Sequence, residues 1–142
     1  MINFFKDKNN DTSLKGNLLL KTASLLIHAA KIDENFTEKE EDIIKQTLIV
    51  LGANESNITE LIINAKNNEA ESNHILEFTR EVKNADNGFK IKVIEALWTI
   101  IYSNSEADIY EANLMRRLSG LLYIDSKTMG DIKEKTKKKF SK

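Results

Sequence analysis

Cysteine and proline are both absent from this chain, and each absence excludes a class of structure. Without cysteine the protein forms no disulfide, no thiolate zinc site and no cysteine nucleophile. Without proline, no residue obliges a helix to kink or stop, so long helices joined by short turns are expected. The net charge of -1 gives no overall field that would attract nucleic acid, and we expect no nucleic-acid partner.

Long apolar runs are also missing, and none of the chain's hydrophobic stretches is long enough to cross a bilayer. The N terminus becomes charged at Lys6, so it lacks the apolar stretch of a secretory signal, and we expect a cytoplasmic protein. A length of 142 residues, with 41% hydrophobic and 30% charged residues, fits one folded domain over residues 1–142. Within it, we expect residues 1–13 to be loosely ordered and residues 133–142 to form the basic end of the last helix.

Apolar residues recur at helical spacing through almost the whole chain, which predicts an all-α fold of about seven helices. The first long helix is predicted from about Leu14 to Lys31, and the second opens at Thr37 and stops at Gly52. Thr37 and Glu40 have the spacing of a capping box, in which each side chain hydrogen bonds to the other residue's backbone amide. The fifth helix, around Trp98, is the most apolar and should be central. The remaining helices carry the apolar stripes Ile58 to Ala65, Ile75 to Val82, Leu114 to Leu122 and Met129 to Phe140.

An internal repeat relates the two halves of the chain at a fixed offset of 71 positions. Few residues are identical, so the repeat depends on the apolar pattern and on the placement of helix caps. We therefore predict two similar helical halves packed around the fifth helix. The matched positions are Asp33 with Asn104, Glu40 with Glu111, and Leu51 with Leu122.

Two segments resemble signatures of the TerB family of tellurite-resistance proteins. Ala29 to Glu40 resembles the first signature, in which an acidic loop separates a helix of small residues from a helix that Glu opens. Leu97 to Leu118 resembles the second, and the similarity extends over roughly Leu14 to Lys137. The resemblance implies a TerB-like helical bundle and a non-enzymatic adaptor or metal-binding module in metal or envelope stress. Two residues depart from the family pattern, since Glu34 replaces a glycine and Asn104 replaces an aspartate.

The resemblance also implies that the acidic signature residues form a surface for a divalent cation or a protein partner. Residue by residue, this role falls on Asp33, Glu40, Glu111 and Asp108, whose oxygens suit Ca²⁺ or Mg²⁺. Helix capping is the competing interpretation, because Glu40 and Glu111 both stand at the third position of a helix. Two helix N-termini also present positive potential, which opposes cation binding unless several carboxylates outweigh it.

Two other functions stay open as alternatives to the adaptor. One is a co-chaperone-like interaction domain similar to the N-terminal domain of DjlA, and the other, less favoured, is a metal-dependent hydrolase. We expect a protein partner and no enzymatic activity, because the chain has no glycine-rich phosphate loop and no serine–histidine arrangement. His28 and His74 lack the spacing of a zinc site, and Trp98 lies in an apolar stripe that favours the core.

The last ten residues, from Lys133 to Lys142, form the one basic patch in the sequence. Cations at a helix C-terminus complement its dipole, so a solvated helix end is the favoured interpretation. The alternative is weak attraction to the anionic surface of a membrane.

Overall fold

The structure is a computed structural model that describes the backbone of residues 2–32, 36–72, 75–103 and 109–140. Side chains are described for residues 15–32, 36–72, 75–103 and 111–140. These ranges contain seven α-helices and no strand, which confirms the predicted all-α fold. The helices are α1 (Ile2–Ala30), α2 (Glu38–Val50), α3 (Ile58–Glu71), α4 (Leu76–Val82), α5 (Asn87–Ser103), α6 (Ile109–Leu121) and α7 (Ser126–Phe140), with a short 3₁₀ turn at Glu55–Asn57 before α3.

Helix α1 begins at Ile2, well before the start near Leu14 predicted from the sequence. The apolar periodicity used for that prediction marks only the part of a helix that packs against a core. The first turns lack this periodicity, but they also contain no proline that would stop the backbone from continuing the helix. Periodicity therefore placed the packed portion of α1 and missed its N-terminal extension.

The predicted capping box at the start of α2 is present. The backbone N–H of Thr37 donates to Oε1 of Glu40 at 2.8 Å, and the backbone N–H of Glu40 donates to Oγ1 of Thr37 at 3.1 Å. Gly52 follows the other end of α2 with φ +116°, a conformation that favours glycine. Both predicted ends of α2 are confirmed.

The repeat predicted from the sequence is visible in the helix boundaries. Each boundary of α6 lies 71 positions after that of α2, at 38 and 109 and at 50 and 121. The cap residues before the next turn repeat as well, because Asn54 and Asp125 each accept a backbone N–H from the turn that follows. The fifth helix does contact both halves, but α5 belongs to the second half as the counterpart of α1. The halves are therefore α1–α3 and α5–α7, with α4 between them.

The hydrophobic core lies between α1 and α5 and the helices that pack against them. Helix α1 packs chiefly on α3 and α4, α5 packs chiefly on α7, and α2 joins the halves by packing on α5. Trp98 is 4% exposed, which confirms its predicted core position. Among the described residues, no helix combines the length and apolarity that a membrane crossing requires. The largest fully buried side chains are Phe78, Leu25, Leu26, Ile27, Ile44, Leu48, Ile94, Leu97, Ile100, Ile101, Met115 and Leu118.

Candidate functional site

Two of the four acidic residues predicted as metal ligands can be placed. Glu40 and Glu111 are buried, with 1% and 4% of their surfaces exposed, at the third position of α2 and of α6. Asp33 and Asp108 lie outside the described residues. The capping role inferred for Glu40 is confirmed by its reciprocal hydrogen bonds with Thr37. Among the residues that the structure describes, no three His, Asp or Glu side chains are grouped to hold a metal ion.

The histidine that can be placed, His28, takes part in a polar contact between α1 and α3. Its Nδ1 lies 3.4 Å from Oε2 of Glu69, and the Nζ of Lys31 donates to Oε1 of the same carboxylate at 2.7 Å. The His28 ring also lies against Phe78, with 6.3 Å between ring centres. These contacts give His28 a structural role between α1 and α3. His74 lies outside the described residues.

A second ion-pair group joins α2 to α3. Glu41 pairs with the Nζ of Lys66 at 2.5 Å and with that of Lys45 at 3.7 Å. The hydrogen bond from Lys66 is the main cause that lowers the pKa of the Glu41 carboxyl below its usual value of 4.5. Lys66 also lies 5.5 Å from the centre of the Phe36 ring. The arrangement ties the loop before α2 to α3 and holds two elements of the first half together.

A buried lysine fixes the ends of α4 and α6. Lys90 is 6% exposed, and its Nζ donates to the carbonyl oxygen of Leu122 at 3.0 Å and to that of Lys83 at 3.4 Å. Leu122 follows the last residue of α6 and Lys83 caps α4, so the ammonium group meets the negative ends of two helix dipoles. The last backbone carbonyls of a helix have no intrahelical hydrogen-bond donor, and the Lys90 ammonium group donates to one carbonyl at each of these two helix ends. The two helix ends are thereby held at a defined distance from each other.

Tyr123 lies directly after this anchored end of α6, in a conformation unusual for its residue type. Its φ is +58°, in the left-handed region that disfavours residues with a Cβ. Its side chain is nonetheless 70% exposed, so no core packing explains why a tyrosine stands there. In the first half, the position 71 residues earlier is Gly52, which adopts positive φ without this steric penalty. Backbone strain of this kind concentrates at functional positions.

Tyr123 belongs to a surface that carries positive charge and exposed apolar area, which we call the Tyr123 surface. It surrounds a depression of about 270 Å³ between α4 and α6. Leu76 is 46% exposed there, and the Nζ of Lys83 lies 6.0 Å from the centre of the Tyr123 ring. Arg80 adds a second cation, and none of the described lining residues is acidic. The surface is formed by Leu76, Thr79, Arg80, Lys83, Gly120, Leu121 and Tyr123.

Sequence reasoning missed both Lys90 and Tyr123, although each left a signal. Lys90 lies at helical spacing from Val93, Ile94 and Leu97, so it interrupts an apolar stripe that should face the core. Tyr123 is the repeat counterpart of the glycine that ends α2. Extending the repeat one residue beyond Leu122 would have placed a tyrosine where the backbone favours glycine.

These features define a class of protein: an all-α bundle of two similar halves, in which a buried glutamate stands at the third position of the second helix of each half. The sequence profile of a family described as tellurite resistance protein TerB matches residues 19–134. The chain belongs to this TerB family, as its two acidic segments had indicated. No curated protein and no solved structure matched the chain. The matched span includes Glu40, Glu111 and every residue of the Tyr123 surface.

Proposed function

We propose that this TerB-family domain is a non-enzymatic adaptor that binds an acidic segment of a partner protein at the Tyr123 surface. The observation that carries the proposal is the exposed tyrosine in a left-handed conformation, at 70% exposure and φ +58°. An exposed side chain that gains no burial has no stability reason to occupy a strained backbone position. Tyrosine supplies a large, rigid contact area when a partner covers it.

The charge of the surface supports an acidic partner. In the described part of the chain, Arg80 and Lys83 are the two cations that line the surface, and no carboxylate lies among the lining residues. Opposite charges across an interface raise the association rate and disfavour wrong partners. Leu76 and Tyr123 add apolar contact area, so the partner segment should carry at least one apolar side chain between its acidic residues.

The rigidity of the site supports the same interpretation. The Nζ of Lys90 donates to the backbone carbonyl oxygens of Lys83 and Leu122. Lys83 is itself a cation of the Tyr123 surface, and Leu122 directly precedes Tyr123. Binding costs less conformational entropy when the contacting groups are already held in place. Lys90 therefore acts as a positioning residue beneath the Tyr123 surface.

Selection from a phage-displayed library of random dodecapeptides tests the proposal without a known partner. The intact protein is expected to enrich peptides that carry several Asp or Glu residues around a Leu, Phe or Trp. Binding of these peptides should fall about tenfold or more in Tyr123→Gly and in Arg80→Glu. Ile63→Asn is the matched control, since Ile63 is a 52% exposed apolar residue on α3, away from the surface.

Two outcomes would contradict the proposal. One is enrichment of peptides without excess negative charge, which would remove the role of Arg80 and Lys83. The other is equal binding of the selected peptides to the intact protein and to Tyr123→Gly, which would place the binding surface elsewhere.

Metal binding is a second proposal, favoured by the two buried carboxylates of Glu40 and Glu111 at equivalent positions of the repeat. Asp33 and Asp108 would join them in holding Ca²⁺ or Mg²⁺. Calorimetric titration of EDTA-treated protein tests this. Saturable binding that is lost in Asp33→Asn and retained in Glu60→Gln, a control at an exposed glutamate of α3, would support it. Absence of binding for Ca²⁺, Mg²⁺, Mn²⁺ and Zn²⁺ would contradict it.

The setting of the adaptor is also a proposal. A role in metal or envelope stress and a cytoplasmic location rest on family membership and on the sequence. The co-chaperone-like alternative differs in its partner, and it predicts that purified Hsp70 binds the protein and that Tyr123→Gly weakens this binding. A failure of Hsp70 to bind at micromolar concentrations would remove that alternative while leaving the adaptor proposal intact.

Weak membrane attraction through the basic tail stays a prediction. The last turn of α7 carries Lys137, Lys138 and Lys139, and Phe140 is 44% exposed. Co-sedimentation with phosphatidylserine vesicles, compared with phosphatidylcholine vesicles, tests it. Binding that does not depend on the anionic lipid would contradict the electrostatic interpretation.

A further inference from the structure

A separate pocket of about 300 Å³ lies in the second half, among α5, α6 and α7. Its lining includes Trp98, Met115 and Met129, so part of the lining is apolar. Arg116 and Lys133 add two cations to the lining. A cavity of this size, with apolar walls and a few polar groups, lies at the lower end of the range that small-molecule sites occupy.

Comparison with the first half shows why the pocket exists. At the offset of 71, Ser119 corresponds to Leu48 and Lys133 corresponds to Ile62. Leu48 and Ile62 are 0% and 2% exposed, so aliphatic side chains fill this place in the first half. In the second half, the small hydroxyl residue Ser119 and the flexible cation Lys133 occupy these two positions. The opening therefore arises from particular substitutions on a shared framework.

Trp98, one of the lining residues, carries a buried donor. Trp98 is 4% exposed, and among the residues that the structure describes its Nε1–H has no hydrogen-bond partner. Buried polar groups in folded proteins nearly always have one. The Nζ of Lys133 lies 5.5 Å from the centre of the Trp98 ring, so this flexible side chain covers part of the indole. Displacement of Lys133 by a ligand would bring an acceptor close to the indole.

The electrostatics of the pocket select the charge of the ligand. None of the lining residues that the structure describes is acidic. In the described part of the chain, neither Arg116 nor Lys133 forms an ion pair with a carboxylate. Four acidic residues adjoin lining residues in the sequence without belonging to the described lining themselves: Glu111, Asp125, Asp131 and Glu134. The carboxylate of Asp125 caps α7 and accepts the backbone N–H of Thr128. Two unpaired cations above apolar walls favour an anion with an apolar body.

We propose that the pocket among Trp98, Met115, Arg116, Met129 and Lys133 binds a small organic carboxylate that carries an aromatic or short aliphatic body. The body lies against the Trp98 ring and the two methionines. The carboxylate pairs with Arg116 and Lys133 and accepts from the indole N–H. The site differs from the Tyr123 surface and does not depend on it.

Titration with phenylacetate tests the proposal, with phenylacetamide as the neutral compound of the same shape. Trp98 is the one tryptophan of the chain, so its fluorescence reports directly on the pocket. We expect saturable quenching or a spectral shift with phenylacetate, and at least tenfold weaker binding of phenylacetamide. Equal affinity for the two compounds, or no saturable response to phenylacetate, would overturn the proposal.

Two variants separate this site from nonspecific binding. Arg116→Glu should weaken phenylacetate binding about tenfold, whereas Arg117→Glu, at an adjacent exposed arginine outside the lining, should leave it unchanged. Ser119→Leu places the first-half residue in the pocket and should abolish binding without lowering the thermal midpoint. Equal weakening by both arginine changes, or full binding by a folded Ser119→Leu protein, would overturn the assignment of the pocket. The arginine pair decides the matter if Ser119→Leu does not fold.

Discussion

Tyr123 adopts at the end of α6 the left-handed backbone position that Gly52 adopts at the end of α2. In both places the residue after it donates to a carbonyl five positions earlier, Ala53 to Leu48 at 2.8 Å and Ile124 to Ser119 at 2.9 Å. This is the hydrogen bond of a Schellman motif, which normally requires glycine at the left-handed position. The second half forms the same motif with an exposed tyrosine at the position where the first half has glycine.

Tyr123→Gly is therefore expected to leave stability unchanged or to raise it, while partner binding is lost. Glycine relieves about 1–2 kcal/mol of left-handed strain. It also adds about 0.4–1 kcal/mol of conformational entropy to the unfolded chain, which opposes that gain. Urea denaturation followed by circular dichroism measures the sum. A loss of more than about 1 kcal/mol would show that Tyr123 serves the fold instead of a partner.

The converse change in the first half should destabilise the protein. Gly52→Ala places a Cβ at φ +116° and is expected to lower the free energy of unfolding by about 1–2 kcal/mol. The added Cβ would also lie 3.1 Å from the flexible end of Lys15, which can move aside. The same denaturation experiment serves as the check. Gly52→Ala of unchanged stability would contradict the strain assigned to this position and, with it, to Tyr123.

Lys90→Met should destabilise the protein and weaken binding at the Tyr123 surface. The change keeps an unbranched side chain of similar length but leaves the carbonyl oxygens of Lys83 and Leu122 without their donor. We expect a loss of about 1–3 kcal/mol, the usual cost of an unsatisfied buried polar group. Lys92→Met, at an exposed lysine of the same helix, should change stability by less than about 0.5 kcal/mol. Equal effects of the two changes would contradict the anchoring role of Lys90.

Glu41 should make stability depend on pH in the acid range. Because its pKa is lowered in the folded protein, its ion pair with Lys66 contributes fully above the usual value of 4.5. The contribution, below about 1 kcal/mol, is lost as pH falls through the lowered folded-state pKa. Denaturation of the wild type and of Glu41→Gln between pH 7 and pH 3 should give curves that converge at low pH. A stability difference that stays constant over this range would exclude the ion pair as its cause.

Two substitutions of Trp98 should separate the stability contributed by packing of its ring from that contributed by its N–H group. Trp98→Ala is expected to lower stability by about 3–5 kcal/mol, because it leaves a large cavity in the core. Trp98→Phe keeps most of the packing and removes a donor that has no partner among the described residues, so the loss of stability should be below about 1.5 kcal/mol. Thermal unfolding followed by circular dichroism compares them. Similar losses would mean that the indole N–H is satisfied in solution.

The fold could be predicted closely because local signals specified it. The capping box of Thr37 and Glu40 and the stop at Gly52 can each be read within a few turns of sequence, and the 71-residue repeat follows from comparing two such local patterns. The start of α1 could not be placed, because residues 2–14 lack the apolar period that marks a packed helix. Sequence patterns report packing, and an extension without packing leaves no such pattern.

The candidate sites were harder to predict for a different reason. The Tyr123 surface joins residues 76–83 of one helix to residues 120–123 beyond another, and the pocket at Trp98 depends on three helices. Neither juxtaposition follows from local sequence. Of the four acidic residues implied by the family resemblance, the structure describes Glu40 and Glu111. That they bind a metal ion stays a prediction.

Site-specific photo-cross-linking tests the adaptor function most directly. The photoreactive residue p-benzoylphenylalanine is introduced in place of Leu76, or in place of Ile63 as the control, in cells that produce the protein. We expect position 76, and not position 63, to cross-link a partner segment that mass spectrometry shows to be acidic around an apolar residue. Tyr123→Gly and Arg80→Glu should each remove the product. A segment without excess negative charge, the same product from both positions, or a product that persists in both variants would contradict the account.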